Sequence, residues 1–501
     1  MESVLQAIEN IMTVESILAM IFGAVVGTVL GAIPGLNGTM AIALVLPITL
    51  YVSPWVGIPM ILAIYKAATW GGSVGSIMIN TPGTSAAIVV ALDGYPLNRQ
   101  GKPLRALKAA LYSGIVGDIL SDLVTIFICA PIATVALMIG PPEFMMLIVL
   151  ALSIITILGD TAPVKAMISA GLGLFFACIG YDPVTQTPRL MFNVIELGDG
   201  IKFVPMLVGM FALSEALYKF LKENDKPSSE KAAEVMKSKE NNFTWLDMWR
   251  NKFTALMGAG IGTFIGALPG IGSTVSPWLA YAVSKKTSKN PEEYGKGSVT
   301  GLISAQSACN AVSGANLIPL LTLGIPGDTV AAMLIGTMTI HGMQPGPLIM
   351  KTNPVGVYSI FVSLLVCDVI YFAVGVLAVK YAAAITKISS RTLTTLIVVM
   401  SVIGAYAYNR SMFDVFIMFV FGVLGYFMKV YQYSVASFMI AFILAPILEM
   451  NLRQSLILFN GNISDLFSRP VSVALIIVTV LLVAVPIIFK MIQRTRAKRI
   501  D

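Results

Sequence analysis

Apolar residues in this chain gather into runs long enough to cross roughly 30 Å of hydrocarbon. Runs near 109–139, 143–159, 163–180 and 203–221 predict four crossings, four more are expected between 355 and 448, and a last lies near 471–490. The informative polar positions are those that interrupt such a run. In "GAIPGLNGT", residues 31–39, Pro34 and Gly35 stand inside an apolar stretch and are followed by Asn37, Gly38 and Thr39. Proline removes a backbone donor and clashes with the preceding turn, while glycine accepts positive φ, so the pair ends one helix and lets another start at a new angle. Each backbone group freed in hydrocarbon costs several kcal/mol, roughly, unless a partner supplies the missing contact. A broken helix or hairpin tip is expected here.

The break recurs. Residues 23–35, "GAVVGTVLGAIPG", align without a gap to 258–270, "GAGIGTFIGALPG", with eight of thirteen positions identical, which marks an internal repeat. Each half then carries a second break, at Pro82-Gly83 in "NTPGTSAA" and at Pro326-Gly327 in "GIPGDTVAA". Gly23, Gly27 and Gly31 line one helix face and are read as a seam for close helix packing. Polar residues cluster at all four tips. Asn37 and Thr39 follow the first break; Asn80, Thr81, Thr84 and Ser85 surround the second; Gly270, Gly272, Ser273 and Thr274 form the third; Asp328 and Thr329 follow the fourth, and Asn310 precedes it. Singly, each could satisfy only local backbone groups. Grouped at every tip, they point to a binding site.

Composition adds the broad class: of 501 residues 56% are hydrophobic and only 12% charged, with mean hydropathy +0.84. The expected fold is an all-α polytopic membrane protein of about 10–13 membrane segments. The net charge of +7 does not indicate nucleic acid, because the basic residues sit in polar stretches between apolar runs: 99–108, 222–252, 285–296 and 490–499. The positive-inside rule places all four in the cytoplasm. The stretch at 222–252 has linker composition, which divides the chain into a first membrane repeat (1–221), a linker (222–252), a second repeat (253–450) and a last helix with a basic tail (451–501). Residues 1–13 lack Lys and Arg, so the first apolar segment is expected to remain uncleaved. Cys129, Cys178, Cys309 and Cys367 have no metal or disulfide spacing and read as packing residues.

Loop charge also orients the repeats. Between the two breaks of the second half lies basic "KKTSKNPEEYGKG", whereas the matching "YVSPWVGIP" has no basic residue. Equivalent loops are therefore expected on opposite sides, giving inverted-topology repeats with broken helices or re-entrant hairpins. That architecture describes secondary transporters, in which half-helix N-termini face an anion and freed carbonyls and hydroxyls coordinate a cation. Among ionisable residues, Lys66 either holds a substrate carboxylate or snorkels to an interface. Asp328 is read as both helix cap and site residue. Asp118 and Asp122 share a helix face at i and i+4 and are expected to pair with Lys or Arg of a neighbouring helix, with a proton relay as the alternative. His341 is a lone histidine and builds no metal site. Two rival classes are an intramembrane aspartyl protease and a stand-alone cation/proton antiporter. The first lacks a facing aspartate pair and a GxGD sequence, and for the second only Asp328 is a carboxylate at a break.

The stretches "GAIPGLNGT", "WGGSVGSIMINTPGTSAA", "GALPGIGST", "EEYGKGSVTG" and "LTLGIPGDTVAAMLIGTMTIHGMQPGP" resemble the large permease subunit of the bacterial tripartite tricarboxylate transporters. The resemblance implies a multi-pass protein of the bacterial cytoplasmic (inner) membrane. It implies two partners, a small membrane subunit and a periplasmic solute-binding protein, and uptake of tri- or dicarboxylates by symport with a sodium ion or proton, with no other cofactor. A carboxylate symporter that works alone remains an alternative. Where the family pattern has Pro-Glu and then paired asparagines, this chain has Ala305-Gln306 and then Cys309-Asn310; Lys66 stands where uncharged residues are usual. Both departures make the site more positive and bear on the choice of coupling ion.

Overall fold

The computed structural model describes residues 2–33, 36–159, 161–222, 242–270, 272–385 and 390–497. Pro34 and Gly35, and most of the linker, lie outside the described residues. The first half runs α1 (Glu2–Ile11), α2 (Val14–Ala32), α3 (Gly38–Thr49), α4 (Pro54–Ile79), α5 (Ser85–Arg99) and α6 (Pro103–Ala136). It continues through α7 (Pro141–Leu158), α8 (Pro163–Ala177), a hairpin of the two-residue strands β1 (Gly180–Tyr181) and β2 (Pro188–Arg189), α9 (Phe203–Leu207) and α10 (Ser214–Lys222). After the linker come α11 (Trp245–Arg250), α12 (Lys252–Gly266), α13 (Gly272–Thr287), α14 (Val299–Ala315), α15 (Leu317–Leu323), α16 (Thr329–Ile340) and α17 (Ile349–Thr352). The last are α18 (Pro354–Ile385), α19 (Ser390–Asn409), α20 (Met412–Val430), α21 (Val435–Leu458) and α22 (Pro470–Ala497). Among the described residues, seven helices are long and apolar enough to cross a membrane, and five shorter apolar helices of 10–17 residues accompany them. The fold is the all-α polytopic one.

The chain packs as two compact units, one of residues 1–133 and 202–427, the other of 134–201 and 428–501. In the first unit, α4 and α14 are its most enclosed helices: Val56–Met78 is buried apart from Thr69, and Gly301–Ala315 is buried throughout. A helix covered on all sides needs neighbours with little side-chain bulk. The glycine seam supplies them. A Cβ at Gly23 would lie 2.5 Å from the Met60 carbonyl oxygen, at Gly27 2.5 Å from that of Ile64, and at Gly31 2.6 Å from that of Ala68, so α2 lies backbone to backbone on α4. The repeat does the same, with Gly258 facing Ser304 and Gly262 facing Ala308, so α12 lies on α14. Pro59 cannot donate to the carbonyl of Trp55, and the Ser16 hydroxyl of α2 donates there instead, at 2.8 Å.

In the second unit, α21 packs on α7 and α8, and α22 on α7. Three of its arginines are in ion pairs: Arg189 with Glu449 at 2.8 Å, Arg469 with Glu143 at 2.9 Å, and Arg453 with both Glu449 and Asp182. The Thr185 backbone N–H, together with Arg453 and the Val184 N–H, holds the Asp182 carboxyl well below the usual carboxylate range. An aspartate so held ionised is a loop anchor and does not share a proton with a partner acid.

Candidate functional site at the four helix breaks

Three of the four breaks are built by local capping. The Asn37 side chain accepts from the Met40 N–H at 2.9 Å and starts α3; Thr84 accepts from Ala87 at 3.2 Å and starts α5; Asp328 accepts from Ala331 at 2.8 Å and starts α16. These oxygens satisfy backbone donors that a helix start leaves without partners. At the other side of the second break α4 ends on Asn80 in the left-handed region, φ 52°, and α15 ends likewise on Gly324, φ 69°. Thr81 donates to the Ile79 carbonyl at 3.3 Å.

Within each half the two breaks nest. Gly83 packs where a Cβ would come within 2.9 Å of the Leu36 carbonyl oxygen, so the second break's glycine lies against Leu36, the residue that precedes Asn37 and α3. The Gly270 N–H, at a residue with φ 86°, donates to the Gly327 carbonyl at 2.7 Å, and this joins the third break to Pro326-Gly327. Between the halves the contacts are reciprocal. Thr39 meets Thr329, hydroxyl to hydroxyl, at 3.2 Å, and Ser85 meets Thr274 at 3.3 Å. Thr39 is the repeat equivalent of Thr274, and Ser85 of Thr329, so one contact is the counterpart of the other. The starts of α3, α5, α13 and α16, with Gly38, Gly272 and Ser273 in their first turns, are thereby drawn together.

Asp328 is tied further in. Its Oδ2 accepts from the Tyr65 hydroxyl at 2.7 Å, and that hydroxyl accepts from Asn316 Nδ2 at 2.8 Å. Asn316 Oδ1 is buried, has no hydrogen-bond partner and lies against Gly327. Neither Tyr65 nor Asn316 is singled out by the sequence.

Lys66 and Asn310 lie elsewhere. Asn310 does not flank a break; it sits in the middle of α14, where Gln306, one turn earlier on the same face, donates to it at 2.6 Å. Lys66 does not reach an interface, being 1% exposed. Its ammonium donates to Asp122 Oδ2 and to Asp368 Oδ1, each at 2.5 Å, and stands 3.7 Å from Asp118 Oδ1. The expected pairing of Asp118 and Asp122 with a basic residue of a neighbouring helix is thus met by Lys66 of α4. Asp368, alone in the apolar run "LLVCDVIYF", is the partner that sequence reading passed over.

Long apolar helices, paired interruptions and capped helix starts that meet across an internal repeat define a multi-pass membrane protein of the transporter class. The chain belongs to the tripartite tricarboxylate transporter TctA family, which it matches over residues 17–440; this is a family of transporters rather than enzymes. Among similar proteins, the "uncharacterized 52.8 kDa protein in TAR-I ttuC' 3'region" of Agrobacterium vitis is 32% identical over 471 residues, 94% of this chain and 93% of that protein. The "uncharacterized protein in TAR-II ttuC' 3'region" of the same organism is 32% identical over 228 residues, 45% of this chain and 94% of that protein. No solved structure matches the chain.

Proposed function

We propose that the chain is the permease subunit of a cation-coupled, solute-binding-protein-dependent carrier that takes up tri- or dicarboxylates across the bacterial cytoplasmic membrane. A small membrane subunit and a periplasmic solute-binding protein are its proposed partners, and a sodium ion or a proton its coupling ion. The observation that carries this reading is the reciprocal meeting of Thr39 with Thr329 and Ser85 with Thr274. Four helix N-termini brought to one place carry partial positive charge suited to a carboxylate. Hydroxyls that at present bond each other can turn to a cation without leaving buried donors unpaired. The cation offsets the cost of burying the substrate's charge. Inverted topology of the two repeats, supported by the charges of their equivalent loops, would then expose the loaded site alternately to either side.

The buried acids around Lys66 favour a second reading, a stand-alone cation/proton antiporter. A flux assay separates the two. Membrane vesicles carrying the chain, its small subunit and binding protein should take up labelled citrate under an imposed sodium or pH gradient, whereas an antiporter would move cations with no citrate. Thr274→Ala, Ser85→Ala and Asn80→Ala should each raise the cation concentration needed for half-maximal uptake, by about fivefold for loss of one ligand of ~1 kcal/mol, with membrane insertion intact. Unchanged uptake in all three would remove the tips from the mechanism.

A further inference from the structure

We infer that Lys66, Asp118, Asp122 and Asp368 form a proton-binding site, with Asp122 or Asp368 taking up the proton. The inference deepens the transport reading and rests on it in one respect, that the proton so bound is the coupling ion.

The cluster brings three carboxylates and one ammonium together with almost no exposure: Lys66 and Asp368 are 1% exposed, Asp118 and Asp122 0%. With every group ionised it would hold two uncompensated negative charges inside the membrane, which is costly unless a cation joins it. The oxygens are not equivalent. Asp118 is fully supplied with donors, from Ser313 Oγ on Oδ1 and Asn310 Nδ2 on Oδ2, both at 2.6 Å, beside Lys66, so a proton there would have to displace a donor already in place. Asp122 and Asp368 each give one oxygen to Lys66, while Asp122 Oδ1 and Asp368 Oδ2 are buried and have no hydrogen-bond partner. A buried carboxylate oxygen with no donor is where a proton relieves most charge. A metal cation has less claim on the site, because the Lys66 ammonium already stands between Asp122 and Asp368, where such an ion would sit.

Other titratable groups around the cluster leave this assignment unchanged. From α18 come Tyr371, whose hydroxyl accepts from Asn310 at 3.4 Å, and Cys367, whose thiol donates to the Pro59 carbonyl. Cys309 is the one from α14, and Glu2, Glu9 and Glu15 of α1 and α2 are exposed. On binding, an O–H bond forms at Asp122 or Asp368 as an O–H bond of a hydronium ion breaks and leaves water on one side of the membrane. On release the carboxyl O–H bond breaks and a water on the other side takes the proton as hydronium, with no redox change. Lys66 adjoins Tyr65, which holds Asp328 at the fourth break, so a charge change at the cluster acts one residue away from the tips.

The test is an infrared titration of the purified full-length chain in lipid nanodiscs from about pH 5 to about pH 9, following the C=O stretch of protonated carboxylic acids and its shift in D2O. A band that grows as pH falls, is lost or halved in Asp122→Asn or Asp368→Asn, and is unmoved when sodium chloride replaces choline chloride is the expected result. Absence of the band, constancy across the range, persistence in both variants, or removal by sodium would each overturn the inference. The wild-type titration needs no variant to fold. Because the readout requires neither substrate nor partner, failure of citrate uptake would sink the transport reading and leave the proton site standing.

Discussion

Asp93 shows how far a single side chain can organise this molecule. It is fully buried on α5, and its Oδ1 accepts from the backbone N–H groups of Gly295, Gly297 and Ser298 at 2.8–2.9 Å, while Oδ2 accepts from the Tyr281 hydroxyl at 2.9 Å. Gly295 and Gly297 have φ of 84° and 108°, which lets the loop before α14 fold around the carboxylate. Asp93→Ala would leave four donors without an acceptor, a loss of roughly 3–6 kcal/mol, and should lower the thermal midpoint of the detergent-solubilised protein clearly; an unchanged midpoint would mean that water replaces the carboxylate. The role of Asp93 was not legible in the sequence, nor were those of Asp368, Tyr65 and Asn316. Proline, glycine and a capping oxygen act on their own backbone, so the breaks and most of their polar residues could be read locally. Asp93 meets Tyr281 across 188 positions and Asp368 meets Lys66 across 302, and no local pattern encodes such a partner.

For the helices, spacing carried the information. Glycine at every fourth position of α2, repeated in α12, announced a close-packed seam, and the structure supplies what the sequence could not, the helix on the other side. On α12 the seam has an internal control. A Cβ at Gly262 would overlap the Ala308 carbonyl, whereas one at Gly260, half a turn away, would meet nothing within 4 Å. Gly262→Leu should therefore prevent α12 from seating on α14, because backbone on the far side has no room to yield, at a cost of more than about 3 kcal/mol. Gly260→Leu should be tolerated or should favour the helix. Fluorescence-detected size-exclusion chromatography of the two variants checks this; equal loss of monodisperse protein in both would mean that α12 does not lie on α14 through this face. Asn310 marks the limit of spacing as a guide. It looked like a tip residue because it is polar and precedes a break, yet α14 continues past it to Ala315, since a polar residue satisfied by Gln306 and Asp118 gives a buried helix no reason to end.

Across the whole chain, the two halves share one order, a helix, a break and a helix, followed by a long buried helix, a break and a short helix. The reciprocal contacts of Thr39 with Thr329 and Ser85 with Thr274 relate them by an approximate two-fold operation. A two-fold along the membrane normal would set equivalent loops on one side, and a two-fold in the membrane plane would set them on opposite sides. Contacts at the tips are compatible with both, and loop charge is the argument for the second: 285–296 is basic and its counterpart at 51–59 has no charge. Ser53 and Asn290 are exposed at these two loops. With Cys178 replaced by serine, leaving Cys129, Cys309 and Cys367 buried, a membrane-impermeant maleimide should label Ser53→Cys from one face of sealed vesicles and Asn290→Cys from the other. Labelling from the same face would align the two halves in parallel. The half-helix N-termini of both repeats would then enter from one side, and no exchange of the halves' roles could present the same site to the other.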